Sequence, residues 1–293
     1  MTDPIPIHTG LAGLVDRYDG FILDLWGVVH DGVCPYPSVA DCLKRLRAAG
    51  KRICLLSNAP RRVDSARSRL DAMGLTPDHY DALFTSGEAT FEALLNPPDA
   101  WHAALGSCLL HLGPPRDRDV YEGLPNRVPV SAPEEADFIV NTGIDDFDET
   151  LADYEPVLRA CAERRLPMIC ANPDLIVHVG EKMVICAGEL ARRYEELGGD
   201  VRYHGKPYPS VYERCFRLLG DIPPSRIVAV GDSLRTDVAG ANAAGIDALL
   251  VTGGIHRDEL GIGWGERADP VRLSNIVAVS GHRPAGALPR LSW

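Results

Sequence analysis

The stretch FILDLWGVVHDG, residues 21–32, decides the fold of the first part of the chain. Its apolar run leads to a single carboxylate, Asp24, and a Leu-Trp-Gly sequence follows. A near-continuous apolar run of this length is typical of a strand in a parallel sheet, because such strands are covered on both faces. Ligands of open parallel sheets bind beyond the carboxyl ends of the strands, so Asp24 is the first candidate functional residue.

The segments after this strand continue an alternation of helix and strand. In chain order they read SVADCLKRLRAAG, KRICLLSN and RRVDSARSRLDAMG. The helical segments have apolar residues three and four positions apart, and Gly50 and Gly74 stand where helices commonly end. The same alternation returns near the other end of the chain in RIVAVGDS, DVAGANAAG and IDALLVTGG. We therefore predict an α/β fold whose parallel sheet is covered by helices on both faces.

The middle of the chain has strands and helices of its own. Its strand-like runs are SCLLHLGPP, ADFIVNTG and PMICANPD, and its helix-like runs are ETLADYEPVLRACAERR and ICAGELARRYEELGG. We predict a second α/β domain at residues 98–200, inserted into a core made of residues 1–97 and 201–293. The last stretch, GHRPAGALPRLSW (281–293), is rich in Pro and Gly and is predicted to be an irregular tail.

Composition limits the classes of partner and compartment. The chain has 293 residues, of which 45% are hydrophobic and 24% charged, as in folded soluble proteins. A net charge of −11 argues against nucleic acid or an anionic membrane as a partner. No run of about 18 apolar residues occurs, and residues 1–10 lack a signal-peptide pattern. The eight cysteines are scattered without a Cys-x-x-Cys pair, which favours reduced thiols and a cytoplasmic location.

Polar side chains recur where the predicted core strands end. The residues at these ends are Asp24, Ser57, Asn58 and Asp232. Lys206 lies in HGKPYPS, just before a predicted helix. Each residue alone has an ordinary explanation as a helix cap or turn residue. Together they favour a site in which carboxylates bind Mg²⁺ while a lysine and hydrogen-bond donors hold a phosphoryl group.

The order of four motifs resembles that of the haloacid dehalogenase-like (HAD) hydrolase superfamily. The motifs are DLWGV (24–28), LLSNAPRR (55–62), HGKPYPS (204–210) and VGDSLRTD (230–237). Together with TSGEAT and ANPD they resemble subclass IIA, the branch of sugar, nucleotide, pyridoxal phosphate and phosphoglycolate phosphatases. The resemblance spans residues from about 20 to 255. It implies a Rossmann-like, doubly wound parallel-sheet core and an α/β cap domain inserted between the second and third motifs.

The resemblance also implies a role for each motif residue. Asp24 would be the nucleophile that takes the phosphoryl group as an aspartyl-phosphate. Lys206 would orient this carboxylate and offset the developing charge, and Ser57 would assist as a catalytic hydroxyl. The residues expected to bind the substrate are Ser57, Asn58, Ala59, Arg61, His178 and Lys206. Two of them have an ordinary alternative, since Arg61 could belong to a solvated helix start and His178 could be a strand residue with one satisfied ring nitrogen. The residues expected to bind Mg²⁺ are Asp24, Trp26 through its backbone carbonyl, Asp232 and Asp237.

Trp26 departs from the pattern of the phosphatases. These enzymes usually have a second aspartate at this position, which serves as general acid and base. A positioned acid or base contributes about 10²–10⁴ in rate, and an alcohol leaving group needs it more than a stable anion or a halide does. Haloacid dehalogenases of the superfamily have an aromatic residue here. His30 and Asp31 lie in the following loop and could replace the missing group, or they could be ordinary turn residues.

Four functions follow as hypotheses. The leading one is a magnesium-dependent phosphatase that acts on a small phosphorylated metabolite, either a sugar phosphate or a compound whose leaving group needs no proton. A catalytically weak protein that binds a phosphorylated ligand is the main alternative. A haloacid dehalogenase would explain Trp26 but would have no use for Asp232 and Asp237 as magnesium ligands. A nucleotide-binding dehydrogenase is set aside because no G-x-G-x-x-G motif follows the first strand.

The cap domain sets the choice of substrate in this branch by closing over the phosphate end. ANPDLIVHVG (171–180) is the segment expected to contact the substrate, with Asn172 and Asp174 shaping its loop. HLGPPRDRD (111–119) is charged and turn-rich, and the sequence assigns it no role. Caps of this branch often pair, so a homodimer through the cap is one expected assembly.

Overall fold

A computed structural model of the chain describes residues 4–179 and 182–293. Gly180, the last residue of the predicted substrate-contact segment, lies outside the described residues, as does the beginning of the chain. The strands are β1 (Gly20–Asp24), β2 (Arg52–Ser57), β3 (Ala82–Thr85), β4 (Cys108–Leu112), β5 (Val128–Val130), β6 (Phe138–Asn141), β7 (Met168–Cys170), β8 (Ile176–Val179), β9 (Lys182–Ile185), β10 (Val201–Tyr203), β11 (Ile227–Gly231), β12 (Asp247–Val251) and β13 (Gly286–Leu288).

The α-helices are α1 (Val39–Ala48), α2 (Val63–Ala72), α3 (Ser86–Leu95), α4 (Ala100–Ala103), α5 (Leu151–Glu163), α6 (Ala187–Glu196), α7 (Pro209–Leu219), α8 (Ala239–Ala243), α9 (Arg257–Leu260) and α10 (Pro270–Ser280). Short 3₁₀ turns occur at Val15–Arg17, Pro115–Val120, Pro133–Glu135 and Pro224–Arg226, and a π-helical turn occurs at Leu234–Val238. Among the described residues, no helix has the length and apolar character that crossing a bilayer requires.

A six-stranded sheet carries the predicted site residues. Its strand order is β13-β12-β11-β1-β2-β3, and the pairings from β13 through β2 are parallel. All residues of β1 and β11 are buried, which explains their apolar sequences. The register places Leu23 beside Val230 and Asp24 beside Leu56, so β11, β1 and β2 end at the same edge of the sheet. The predicted parallel sheet is confirmed.

A second sheet of five strands has the order β10-β7-β6-β4-β5, and its pairings are parallel. Its two faces pack into separate apolar clusters, since successive residues of a strand point to opposite faces. Ile139 of β6 packs with residues of α5 and α6, whereas Phe138 and Val140 pack with Leu94 of α3. Strands β8 and β9 form an antiparallel hairpin in the same part of the chain.

The chain separates into two compact units. The first contains the residues through Ser57, Arg67–Phe84 and Lys206–Trp293, and the second contains Asn58–Ala66 and Thr85–Gly205. The predicted α/β class, with a Rossmann-like core and a further α/β unit within it, is confirmed. The predicted boundaries of the inserted domain stay a prediction. The second unit also contains α3 and a short segment of the second motif.

The prediction of an irregular C-terminal tail was wrong. Strand β13 lies in this stretch and extends the core sheet by pairing in parallel with β12. Ala287 and Leu288 are fully buried, and the N–H of His8 donates to the carbonyl of Ala287 at 2.8 Å. Three strand residues among prolines and glycines are too few to show an alternating pattern, so this strand could not be predicted.

Candidate active site

Three buried carboxylates meet at the edge where the central strands of the core sheet end. Asp24 is the last residue of β1, Asp232 follows directly after β11, and Asp237 lies in the π-helical turn beyond it. One carboxylate oxygen of each lies within 4.8 Å of the others. Each residue is at most 8% exposed. The structure therefore brings together the three carboxylates that the sequence assigned to the metal and the nucleophile.

Lys206 lies between two of these carboxylates. Its Nζ is 2.5 Å from Oδ1 of Asp24 and 2.7 Å from Oδ1 of Asp237, and the residue is 3% exposed. The lysine precedes α7, which begins at Pro209, so the helix predicted after Lys206 is present. With all three carboxylates ionised, the cluster and its one ammonium would carry a net charge of about −2 in a buried place. Such a cluster of hard oxygen ligands fits a divalent cation such as Mg²⁺.

The other hydrogen bonds distinguish the two aspartates after β11. The N–H of Ile255 donates to Oδ2 of Asp232 at 2.8 Å. The N–H of Ser233 donates to Oδ2 of Asp237 at 3.1 Å, so both oxygens of Asp237 accept hydrogen bonds from the protein. Burial raises the pKa of Asp232 well above its usual range, and the charges of Asp24 and Asp237 raise it further. A bound cation would reverse this effect by favouring the carboxylate.

The position of Gly27 explains why the DLWGV motif contains a glycine. Its φ is +80°, and a Cβ at this position would lie 2.0 Å from Oδ2 of Asp232. Only glycine fits both the left-handed conformation and the close approach of this carboxylate. Neither this contact nor the hydrogen bond from the N–H of Ile255 was predicted from the sequence. Gly27 could have been noticed in the sequence, since it lies in the loop that follows Asp24. A backbone N–H leaves no sequence signal.

The loop after β1 is held by its own side chains. Nδ1 of His30 accepts a hydrogen bond from the N–H of Gly32 at 3.0 Å, and Oδ1 of Asp31 accepts from the N–H groups of residues 33 and 34 at 2.8 Å each. Burial lowers the pKa of His30 to about 4, so this ring is neutral at pH 7. The ring of Trp26 meets that of His30 edge to face, 5.6 Å apart, and lies against Gly32. These contacts favour the explanation of His30 and Asp31 as turn residues.

The residues of the second motif lie at the end of β2 and after it. Ser57 is the last residue of β2, is buried, and belongs to the first unit. Asn58 belongs to the second unit, where its Nδ2 donates to Asp174 at 3.0 Å and its Oδ1 accepts from the hydroxyl of Ser86 at 3.1 Å. The carbonyl of Ala59 accepts from the N–H of Gly87 at 3.1 Å. Asp174, which the sequence assigned to loop shape, thus holds the amide of Asn58.

Arg61 and His178 have protein partners of their own in the second unit. Nε of Arg61 donates to Oδ1 of Asp117 at 2.7 Å. His178 is half-buried in β8 and lies opposite Met183 of β9. Contact of either residue with a substrate stays a prediction. Asp117 lies in the stretch 111–119, to which the sequence assigned no role.

Comparisons with known proteins agree with this geometry. A sequence profile described as haloacid dehalogenase-like hydrolase matches residues 21–124, and one described as HAD-hydrolase-like matches residues 203–276. A solved hydrolase of the haloacid dehalogenase-like family from Brucella suis 1330 is 34% identical. That alignment covers 97% of this chain and 99% of the other, with a TM-score of 0.82.

Two further relatives have names that state an activity. The solved 4-nitrophenylphosphatase of Thermotoga maritima is 26% identical over 93% of this chain and 94% of its own, with a TM-score of 0.68. The D-glycerol 3-phosphate phosphatase of Mycobacterium tuberculosis is 26% identical over 91% of this chain and 71% of its own. The resemblance found in the motifs is confirmed, and the chain belongs to the haloacid dehalogenase-like hydrolases, in the subclass IIA branch of phosphatases.

Proposed function

We propose that the protein is a magnesium-dependent phosphohydrolase that acts on a small phosphorylated metabolite through an aspartyl-phosphate. The observation that carries this proposal is the cluster at the end of β1, where the ammonium of Lys206 lies 2.5 Å from Asp24 and beside two further buried carboxylates. The relatives named as 4-nitrophenyl and D-glycerol 3-phosphate phosphatases support the choice of a phosphate ester as substrate.

The reaction has two steps at Asp24. The carboxylate attacks phosphorus, the bond from phosphorus to the leaving oxygen breaks, and water then hydrolyses the aspartyl-phosphate to release phosphate. Lys206 holds one carboxylate oxygen, Oδ1, by a charge-assisted hydrogen bond and thereby orients the other toward the substrate. Its positive charge also offsets the charge that develops on the phosphoryl oxygens. The hydroxyl of Ser57, the amide of Asn58 and the backbone of Ala59 bind these oxygens.

The metal ligands we propose are Asp24, Asp232 and the backbone carbonyl of Trp26. Mg²⁺ supplies the positive charge that keeps a carboxylate nucleophile and an anionic phosphoryl group from repelling each other. Asp237 supports the site mainly by holding Lys206, because both of its oxygens accept hydrogen bonds from the protein. Binding of the cation would also lower the pKa of Asp232 to a value at which it is ionised at pH 7.

Trp26 determines which phosphate esters the enzyme hydrolyses best. The indole cannot give a proton to a leaving alkoxide, and the nearby His30 and Asp31 are engaged in the turn. A phenolate with an electron-withdrawing group or a carboxylate leaves as a stable anion and needs no such proton. We therefore expect 4-nitrophenyl phosphate and acetyl phosphate to be hydrolysed faster than glycerol 3-phosphate or a sugar phosphate.

The test is a phosphate-release assay with Mg²⁺ over these compounds, pyrophosphate and a phosphoramidate. Asp24→Asn is the matched control, because it keeps the size of the side chain and removes the nucleophile. We expect it to lower kcat by at least about a thousandfold. Phosphate binding without release from any compound would favour the catalytically weak binding protein instead. Halide release from short haloacids would identify a dehalogenase.

A homodimer through the second unit and a cytoplasmic location belong to the same proposal. Sedimentation equilibrium of the purified protein tests the first, and localisation of a tagged chain tests the second.

A further inference from the structure

We propose that three acidic residues, Glu88, Asp117 and Asp119, are positioning residues for phosphate binding. We call them the acidic brace. They hold the segment Asn58–Ala66, whose first two residues bind the phosphoryl group in the function proposed above, on which this inference rests. The brace contacts this segment at residues 61–65. It acts on phosphate indirectly, because the same backbone segment continues to the two residues that bind the phosphoryl group.

Asp117 holds Arg61. Nε of the arginine donates to Oδ1 of Asp117 at 2.7 Å, and the side chain of Asp117 is only 4% exposed. Burial raises the pKa of the Asp117 carboxyl, and the charge of Arg61 opposes that effect. A buried carboxylate without a counter-charge is costly, so this pair fixes the guanidinium in one place. The stretch 111–119 therefore has a role that its sequence did not show.

Asp119 holds the backbone of the segment. Its Oδ2 accepts hydrogen bonds from the N–H of Arg62 at 3.1 Å and from the hydroxyl of Ser65 at 2.6 Å. Its other oxygen, Oδ1, is buried and has no hydrogen-bond partner among the residues that the structure describes. An unsatisfied buried carboxylate oxygen destabilises a fold, and such groups persist where another requirement holds them in place. Here that requirement is the pair of contacts with the segment.

Glu88 holds the segment from the first turn of α3. Its two oxygens accept from Nε and Nη2 of Arg62 at 2.7 and 3.0 Å, and Oε2 also accepts from the N–H of Val63 at 3.0 Å. The guanidinium of Arg62 lies 3.4 Å from the ring centre of Phe91, which limits its movement on a further side. A bidentate pair of this kind specifies an orientation as well as a distance.

The backbone of the segment packs directly against the start of α3. The hydroxyl of Thr85 donates to the carbonyl of Arg61 at 2.6 Å, and the N–H of Gly87 donates to the carbonyl of Ala59 at 3.1 Å. A Cβ at Gly87 would lie 2.4 Å from the backbone nitrogen of Arg61. The start of α3 therefore already fixes one side of the segment, and the acidic brace holds it from there. A small shift of Glu88 should move the whole segment and the residues that bind phosphate.

The test separates position from charge by comparing two variants of one residue. Glu88→Asp keeps the charge but shortens the side chain, whereas Glu88→Gln keeps the length and an acceptor for the N–H of Val63. The dissociation constant of inorganic phosphate, measured by calorimetry with Mg²⁺, should rise about tenfold in Glu88→Asp and by a smaller factor in Glu88→Gln. KM for 4-nitrophenyl phosphate should rise with it, and kcat should change less.

Glu122→Gln is the matched control, because Glu122 is exposed, lies just beyond the stretch 111–119 and forms no ion pair in the described part of the chain. Its phosphate affinity should equal that of the wild type. Asp117→Asn should weaken phosphate binding like Glu88→Asp. If Asp117→Asn does not fold, the two Glu88 variants decide the question by themselves.

A folded Glu88→Asp protein that binds phosphate as tightly as the wild type overturns the acidic brace, and a lower melting temperature alone does not support it. The brace is equally overturned if Glu88→Gln is the weaker of the two. A wild type that binds phosphate but hydrolyses no ester overturns the proposed function. In that case the dissociation constants of phosphate for the two Glu88 variants still decide whether the brace exists. A wild type that binds no phosphate overturns both.

Discussion

Lys206 and Trp26 give the site its two distinguishing properties at the scale of single residues. The lysine donates hydrogen bonds to two of the three buried carboxylates and thereby holds the carboxylate of Asp24 in place. The tryptophan stands where a general acid would be expected and packs instead against Gly32 and the ring of His30. Under the proposed function these residues would bind and attack a phosphoryl group, whereas the indole of Trp26 could not protonate a leaving alkoxide.

Trp26→Asp is expected to raise turnover of alkyl phosphates. An aspartate at this position can protonate the leaving alkoxide and activate the attacking water, and we expect kcat for glycerol 3-phosphate to rise about 10- to 100-fold. The rate with 4-nitrophenyl phosphate should change less, because 4-nitrophenolate leaves without a proton and only the hydrolysis of the aspartyl-phosphate would gain from the aspartate. Trp26→Phe removes the indole without adding an acid and is the control. An unchanged or lower rate on the alkyl ester, in a folded Trp26→Asp protein, would contradict the missing-acid explanation.

The elements that position the site differ in how far the sequence predicts them. β1, β2 and β11 were predicted because long apolar runs end in polar residues, and the pairing of neighbouring parallel strands then puts those residues at one edge. The acidic brace could not be predicted, because Asp117 lies 56 residues from Arg61 and no periodicity links them. β13 was missed for a different reason, since three buried residues form a strand only where β12 is present to pair with them.

The turn after β1 is an element whose stability should depend on pH. Burial lowers the pKa of His30 to about 4, from an ordinary value of about 6.5. Between these values the unfolded chain binds a proton that the folded turn does not, so stability falls as the pH falls through this window. His30→Asn keeps an acceptor for the N–H of Gly32 and removes the titration. Urea midpoints at pH 7, 6 and 5 should therefore fall less steeply for the variant than for the wild type, and parallel curves would contradict the prediction.

The whole molecule combines two compact units, and the six-stranded and five-stranded sheets belong to different units. The carboxylate cluster belongs entirely to the first unit, whereas the acidic brace belongs to the second. The acidic surface does not prevent binding of an anion, because the residues proposed to bind the phosphoryl group form a local site. The net charge of −11 thus bears on large partners that meet the whole surface, and it does not decide which small ligand the site binds.

Magnesium should stabilise the two units unequally. The cation relieves repulsion among Asp24, Asp232 and Asp237, and at a hundred times its Kd it would add about 2.7 kcal/mol to the stability of the unit that binds it. Hydrogen exchange with and without Mg²⁺ should show slower exchange in β1 and β11, with little change in β6 of the second unit. Chelation should reverse the effect, and Asp232→Asn should abolish it. Equal protection of both units, or protection that survives in Asp232→Asn, would place the cation elsewhere.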